Sequence, residues 1–241
     1  MLELYQFQHS PFCLKVRLGL AAKKISYRTV EITPGLGQID VFKLSGQRQV
    51  PILKDGENVI ADSSAIIQYL ENITKESPLF PEDPQEASIV QIIEDWADTT
   101  FADSARLELI KATSIDSSLR AALFPEYFPQ SFNGLIKNLP YKFMNNFTNL
   151  ISQEKSNALM TSLKKLSISV SSNEWLVGNT LSIADIAVAA QLSLLRFPIS
   201  SGTKLCHKGC PGFTDNPELE SLFNWRDQLE KKLLETDPAN L

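Results

Sequence analysis

Apolar and polar positions alternate at the start of the chain, where Leu2, Leu4, Tyr5 and Phe7 have the period of a half-buried strand. Residues 11 to 23 then carry Phe12, Val16 and Leu20 at helical spacing, with Leu14 and Leu18 on a second face. That pattern predicts a helix covered on two sides. Alternation returns through Ile25 to Ile32 and predicts a second strand, followed by a Thr-Pro-Gly-Leu-Gly loop and a short helix over residues 39 to 44. Val50-Pro-Ile-Leu and Asn58-Val-Ile-Ala flank a turn in which Asp55-Gly56 is a hairpin signal. Asp62-Ser-Ser-Ala has capping chemistry and opens a helix with Ile66, Tyr69, Leu70 and Ile73 on one face. The order β-α-β-α-β-β-α within about eighty residues predicts a small α/β domain over residues 1–74.

Pro78, Pro81 and Pro84 break any helix across residues 75–84, which read as a linker. Beyond it the period is helical throughout. Ile89, Ile92, Ile93, Trp96 and Phe101 recur at helical intervals, and the pattern repeats over residues 135–151, 159–170, 182–195 and 217–234. Residues 85–241 are therefore expected to form an all-helical bundle. Two irregular stretches, 114–133 and 197–216, are longer than packing alone requires.

The chain has 241 residues, 43% of them hydrophobic and 21% charged, which suits two small domains with substantial cores. A formal charge of −5 and the lack of a Lys/Arg cluster argue against a nucleic-acid partner. No apolar run approaches membrane-spanning length, and Met-Leu-Glu-Leu-Tyr lacks a positive n-region followed by an apolar stretch, so no signal peptide is expected. Three cysteines cannot form a disulfide framework and fit a reducing compartment. A cytoplasmic protein is expected.

Three short motifs carry candidate chemistry. In Ser10-Pro11-Phe12-Cys13, Ser10 has helix N-cap character and Pro11 suits the first helical position. A hydroxyl and a thiol there lie beside unpaired N–H groups, where negative charge on sulfur is favoured. In Gln49-Val50-Pro51, Pro51 should open an edge strand or follow a cis bond. Val50 could then pair with the backbone of a bound peptide, although a proline that only shapes a turn explains the dipeptide equally. Asp62-Ser63 at a helix mouth could hold the ammonium and the carboxylate of an amino-acid head group, or could simply cap the helix. In the helical half, Ser182 and Asp185 have capping-box spacing, with Leu181 and Ile186 as the hydrophobic staple, a structural device.

Taken together and in this order, Ser10-Pro11-Phe12 with Lys15-Val16-Arg17, Gln49-Val50-Pro51, Asp62-Ser63 and Ser182 through Asp185 resemble the cytosolic glutathione transferases over nearly the full length. The twelve-residue step from Val50 to Asp62 matches as well. The resemblance implies a thioredoxin-like N-terminal domain followed by an all-helical domain that holds a hydrophobic electrophile site. It further implies glutathione as co-substrate, no metal, and a homodimer. Val50 would pair with the cysteinyl part of glutathione, with Pro51 cis; Asp62 and Ser63 would hold the γ-glutamyl amino and carboxylate groups; Gln49 would add a polar contact. Ser10 falls where serine-type members keep the hydroxyl that stabilises the glutathione thiolate.

Where the omega-like and glutaredoxin-like branches keep a cysteine at the first position of this turn, this chain has Ser10, so a Cys-x-x-Cys cycle is ruled out, and Cys13 aligns with their second, more buried cysteine. Cys13 reads as a packed residue, with a monothiol redox role as its rival. His9 reads as a strand-end imidazole rather than a base. Cys206-His207-Lys208-Gly209-Cys210 has no second ligand pair for a closed zinc site, so no metal is assigned. Asp98, Thr99, Asp103 and Arg106 could line a cleft or form a solvated face. Phe124 to Pro129 could lid the electrophile site. The leading function is conjugation of glutathione to hydrophobic electrophiles. Isomerase chemistry on unsaturated diketo acids is conceivable, although the chain lacks the Ser-Ser-Cys run of such isomerases. The alternatives are a glutathione-dependent thiol reductase using Cys13 and a non-catalytic interaction module.

Overall fold

The computed structural model describes residues 1–33, 37–123 and 145–235, with backbone alone at 145–152. The 124–129 segment, and the part of the helical pattern before residue 145, lie outside the described residues. The N-terminal elements are β1 (Leu2–Gln6), α1 (Pro11–Ala22), β2 (Tyr27–Glu31), α2 (Gln38–Ser45), β3 (Ile52–Asp55), β4 (Asn58–Ala61) and α3 (Ser63–Ile73). The expected β-α-β-α-β-β-α order is present. These strands and helices form the thioredoxin-like layer, a four-stranded mixed sheet in the order β2-β1-β3-β4.

Strand β1 runs parallel to β2 and antiparallel to β3, and β3 runs antiparallel to β4. Leu2 and Leu4 lie in the buried row of β1, as the alternation predicted, but that row continues with Gln6, while Tyr5 and Phe7 are only half-buried. In β3 both Ile52 and Leu53 are fully buried, so this strand is covered on both faces. Pro51 therefore introduces an interior strand rather than an edge, and its bond to Val50 is cis, the second of the two readings of this dipeptide. Gly56 turns the β3–β4 hairpin with φ 58°, the left-handed conformation that asparagine-, aspartate- and glycine-containing turns supply. Helices α1 and α3 pack closely at Gly19, where an added Cβ would lie 2.4 Å from the Ile67 Cδ1.

The remaining helices are α4 (Pro84–Trp96), a π turn at Ala97–Phe101, α5 (Ala102–Ile115), α6 (Ser117–Ala122), α7 (Asn145–Ser172), α8 (Ile183–Leu192) and α9 (Glu220–Leu234). By contacts the chain packs as two compact units. One comprises Met1–Asp98, Trp175–Gln191 and Arg226–Leu241, and the other Thr99–Glu174 and Leu192–Trp225. Within the first, the Asp185 carboxylate accepts from the Ser182 N–H at 2.9 Å, the Ser182 hydroxyl at 2.8 Å and the Leu176 N–H at 2.7 Å. That is the capping arrangement read from the sequence, extended by one bond across nine residues. Within the second, Phe101, Leu163, Leu195, Phe197 and Phe223 are buried, and the 197–216 stretch is tied back by a bridge between Arg196 and Gly209. No helix among the described residues is long and apolar enough to cross a membrane.

Candidate functional site

The strand register explains how three motifs separated in sequence come to one place. Tyr5 pairs with Ile52, and Ile52 pairs with Ala61. The end of β1, the start of β3 and the end of β4 therefore lie side by side at one end of the sheet. Ser10 follows β1 by four residues, Val50-Pro51 precedes β3, and Asp62-Ser63 follows β4 directly. Glu31, the last residue of β2, pairs with Gln6 at the same end.

Ser10 is the N-cap of α1, with extended backbone, and Pro11 takes the first helical turn. Its N–H donates to the Phe7 carbonyl at 2.9 Å, closing the turn out of β1. The Ser10 Oγ accepts a long 3.4 Å bond from the Cys13 N–H. A hydroxyl used in this way as an acceptor keeps its own proton to donate, and Ser10 is half-buried rather than sealed.

Cys13 stands one turn further in and is fully buried. Its Sγ accepts from the Phe7 N–H at 3.5 Å. Burial pushes the thiol up, and outweighs the lowering effect of that bond, of Ser10 and of Arg17. Helix-end donors do not produce a thiolate here, because the sulfur is cut off from water. His9 packs edge-on against Phe7 with ring centroids 5.5 Å apart, and burial followed by the Arg17 charge holds its pKa down.

Gln49 is exposed and Val50 half-buried. Both lie ahead of the β3 ladder, whose register starts at Ile52. Asp62 caps α3 from an unusual backbone position, φ 81°. Its Oδ1 accepts from the Ser64 N–H at 3.0 Å and the Ala65 N–H at 3.1 Å. A non-glycine residue at positive φ costs about 1–3 kcal/mol and is typical of binding sites. Capping engages one carboxylate oxygen and leaves the exposed side chain a second for a cation. Ser63, beside it, is buried.

Two polar networks in this region lie beyond what the sequence motifs indicate. Lys15 is fully buried, and its Nζ donates to Glu94 Oε1 at 2.6 Å, Asp98 Oδ2 at 2.5 Å and Ser64 Oγ at 2.9 Å. Ser64 Oγ in turn lies 3.0 Å from Glu94 Oε1 and 3.2 Å from Asp98 Oδ2. Asp98, expected on a cleft-lining or solvated face, thus turns one oxygen onto Lys15. A signal for Lys15 does exist in the chain: a lysine within a helix apolar on two faces has little open surface to occupy. The second network joins Gln6, Gln8, Arg17 and Glu31 around the turn that carries Ser10. Arg106 and Asp103 form an exposed pair, 3.6 Å apart. In the second unit, Cys210 is buried and its thiol, which donates to the Leu194 carbonyl at 3.4 Å, is pushed up to about 12 by burial; Cys206 is half-exposed.

Comparison with known proteins finds relatives of the N-terminal half and of the fold. The family model of the glutathione S-transferase N-terminal domain matches residues 4–78. Maleylacetoacetate isomerase of Mus musculus is 31% identical over 141 residues, covering 56% of this chain and 64% of that protein. Glutathione S-transferase 1 of Dianthus caryophyllus is 38% identical over 91 residues, 36% of this chain and 41% of that protein. The chain thus spans less than two thirds of the length of these two relatives. Glutathione S-transferase TCHQD of Arabidopsis thaliana is 25% identical over 208 residues, 80% of this chain and 78% of its own. Among solved structures, the beta-etherase LigF from Sphingobium sp. strain SYK-6 superposes with a TM-score of 0.69 at 22% identity. The match covers 98% of this chain and 99% of that one, and shows a shared fold. Residues 4–78 thus match a glutathione S-transferase N-terminal domain, and the likeness to the TCHQD protein carries the similarity into the helical half.

Proposed function

We propose that this protein is a glutathione-dependent transferase in which the Ser10 hydroxyl stabilises the glutathione thiolate for attack on a hydrophobic electrophile. One observation carries the reading: the sheet register gathers Ser10, Val50-Pro51 and Asp62-Ser63 at one end of the β1–β3–β4 array. The tripeptide would lie along that end. The Val50 backbone, ahead of the ladder, would pair with its cysteinyl unit, and Gln49 would add a polar contact. The free oxygen of Asp62 would take the γ-glutamyl ammonium, and the mouth of α3 at Ser63 its carboxylate. Residues 85–241 would supply the electrophile site.

In the chemical step the thiolate sulfur forms a bond to the electrophilic carbon, and the leaving group departs with its electron pair or, in an addition, the carbon acceptor takes up a proton. The chain's part is to keep the sulfur ionised. A thiol has a pKa near ~8.5, so a lowering of about two units makes thiolate dominant at neutral pH and corresponds to roughly 2.7 kcal/mol. One hydrogen bond from Ser10 to an anionic sulfur, assisted by the N-terminal N–H groups of α1, is of that order.

The Cys13 reductase reading requires an accessible thiolate, and full burial with a raised thiol pKa weighs against it. Isomerase activity has a specific observation in its favour, the likeness to the mouse maleylacetoacetate isomerase. Both the transfer and the isomerase chemistry would use the same activated sulfur. The testing experiment is an ultraviolet difference titration of bound glutathione on wild type and Ser10→Ala. A thiolate pKa well below that of free glutathione, lost in the variant while affinity persists, is the expected result. A wild-type complex without thiolate near neutral pH would overturn the proposal. Turnover of an aryl halide against turnover of maleylacetoacetate then separates transfer from isomerisation.

A further inference from the structure

The turn from β1 into α1 is held by a closed ring of four residues. Arg17 Nη1 donates to Gln6 Oε1 at 2.7 Å. Gln6 Nε2 donates to Glu31 Oε2 at 3.2 Å. Glu31 Oε1 accepts from the Gln8 N–H at 2.7 Å. The Gln8 carbonyl accepts from Arg17 Nη2 at 3.1 Å, which returns the chain of bonds to its start. The ring joins β1, β2 and α1, and both the N–H and the carbonyl of Gln8 are taken up in it. Gln8 stands two residues before Ser10, inside the turn that the Ser10 N–H to Phe7 carbonyl bond and the Phe7 N–H to Cys13 Sγ bond also span.

We infer that Arg17 is a positioning residue for the Ser10 hydroxyl: its two-pronged hold on Gln6 and Gln8 locks the turn that aims Ser10 at the thiol of bound glutathione. The inference rests on the transferase reading above. Helix α1 fixes Ser10 from its C-terminal side through the cap and Phe7 through the Cys13 thiol, and the ring fixes Gln8 between them through both its N–H and its carbonyl. The planar guanidinium offers its two terminal nitrogens in fixed directions, Nη1 to a side-chain oxygen on β1 and Nη2 to a main-chain oxygen in the turn, whereas a lysine ammonium carries its donors on one atom without that fixed fork. The charge of Arg17 also acts on its surroundings, since it contributes to holding down the His9 pKa and faces Cys13, with Glu31 as the opposing charge. A field effect and a positioning effect are thus both available to one residue, and they predict different behaviour of the lysine variant.

The experiment reads the ionisation of bound glutathione by ultraviolet difference absorbance, together with its dissociation constant. Wild type, Arg17→Met, Arg17→Lys, Ser10→Ala and the double variant Arg17→Met/Ser10→Ala are compared. Positioning predicts that Arg17→Met weakens thiolate ionisation about tenfold or more while the dissociation constant moves by about twofold or less. Arg17→Lys should remain close to Arg17→Met. In the Ser10→Ala background Arg17→Met should add nothing, because the two residues act as one unit. An Arg17→Met protein that ionises glutathione like wild type overturns the inference. So does full rescue by lysine, which would assign the effect to charge alone, or an undiminished loss in the Ser10→Ala background. If Arg17→Met shows no cooperative melting, Gln6→Met, which opens the ring at two links and keeps the arginine, must reproduce the loss in part; wild-type ionisation there overturns the inference equally. Failure of the wild type to bind thiolate would bring down the transferase reading itself, a result distinct from all of these.

Discussion

Replacing Lys15 by methionine removes an ammonium and keeps most of the stem that fills its place in α1. In the native protein the Nζ lies within 2.5–2.9 Å of Glu94, Asp98 and Ser64, and the lysine and glutamate side chains are 1% and 9% exposed. The variant would leave two carboxylates facing each other across a site that water barely enters. Asp98 Oδ1 already lacks a hydrogen-bond partner in that site. The Ser64 hydroxyl has one proton and can serve only one of them. Removing one partner of a buried ion pair costs about 3–5 kcal/mol, because the charge left behind is uncompensated. Asp98 retains some contact with solvent, at 15% exposure, which points to the lower end of that range. For a chain of this size about 3 kcal/mol corresponds to a fall in Tm of roughly 6–12 °C.

Urea unfolding followed by circular dichroism is the assay, with the midpoint expected to drop at an unchanged slope. A loss below about 1 kcal/mol would refute the reasoning, since it would mean that the cluster is not held together by the ammonium. The companion protein carries Lys15→Met with Glu94→Gln and Asp98→Asn. Neutralising the whole cluster should recover most of the stability, as whole replacement of a buried ionic group commonly does. A triple variant as unstable as the single one would assign the loss to packing around residue 15 rather than to charge. The network bears on the site because Ser64 is in the first turn of α3, two residues after Asp62.

Other outcomes follow from single residues. Asp62→Ala should weaken glutathione binding by roughly tenfold or more by calorimetry, the scale of one lost charge-assisted bond, and cost about 1 kcal/mol through the lost α3 cap; an unchanged affinity removes Asp62 from the binding assignment. Stability should fall in alkali. The native Cys210 thiol is raised to about 12, so between its unfolded pKa near ~8.5 and that value the unfolded chain binds fewer protons than the native one. The stabilisation is complete below ~8.5 and declines above it by about 1 kcal/mol per pH unit, with Cys13 acting in the same direction. Denaturation at pH 8, 9 and 10 in reductant should show a shallower slope for Cys210→Ala than for wild type; parallel slopes would contradict it.

The features that can be read directly from the chain are those in which cause and effect lie within a few residues. Ser10 and Asp62 cap helices because their oxygens reach N–H groups two or three positions on. Asp55-Gly56 makes a hairpin because the turn demands a positive φ. Ser182 and Asp185 close on each other across three positions. Hidden from such reading is whatever depends on strand order. Alternation says that β1 has one buried face, yet not that it stands between β2 and β3 in opposite senses. The Gln6–Glu31 bond spans 25 residues and the Lys15–Glu94 pair 79, and although the setting of Lys15 in a helix apolar on two faces marks it as unusual, nothing local names its partner. Proline at residue 51 is compatible with an edge strand as well as with a cis bond, because the sequence around it does not say how many neighbours the following strand has.

Strand order also governs how the site tolerates change. Ser10, Val50 and Asp62 all stand just off strand ends, so their separations are set by ladder register and only secondarily by the packing of their own side chains. A one-residue slip between β3 and β4 would move Asp62 about 3.3 Å along the strand direction and reverse the faces of β4. The residue that guards against such a slip is Gly56, at the hairpin turn on the far end of those strands. A side chain there would be strained at φ 58°, and the strain would be relieved by altering the turn. The site therefore depends, through main-chain hydrogen bonds alone, on a glycine at the opposite end of the hairpin. Arg17 and Lys15 reinforce the same geometry with side chains. Arg17 holds the turn before Ser10, and Lys15 holds the first turn of α3 after Asp62. Register brings the three motifs together, and these two cations keep the helix mouths on either side of it in place.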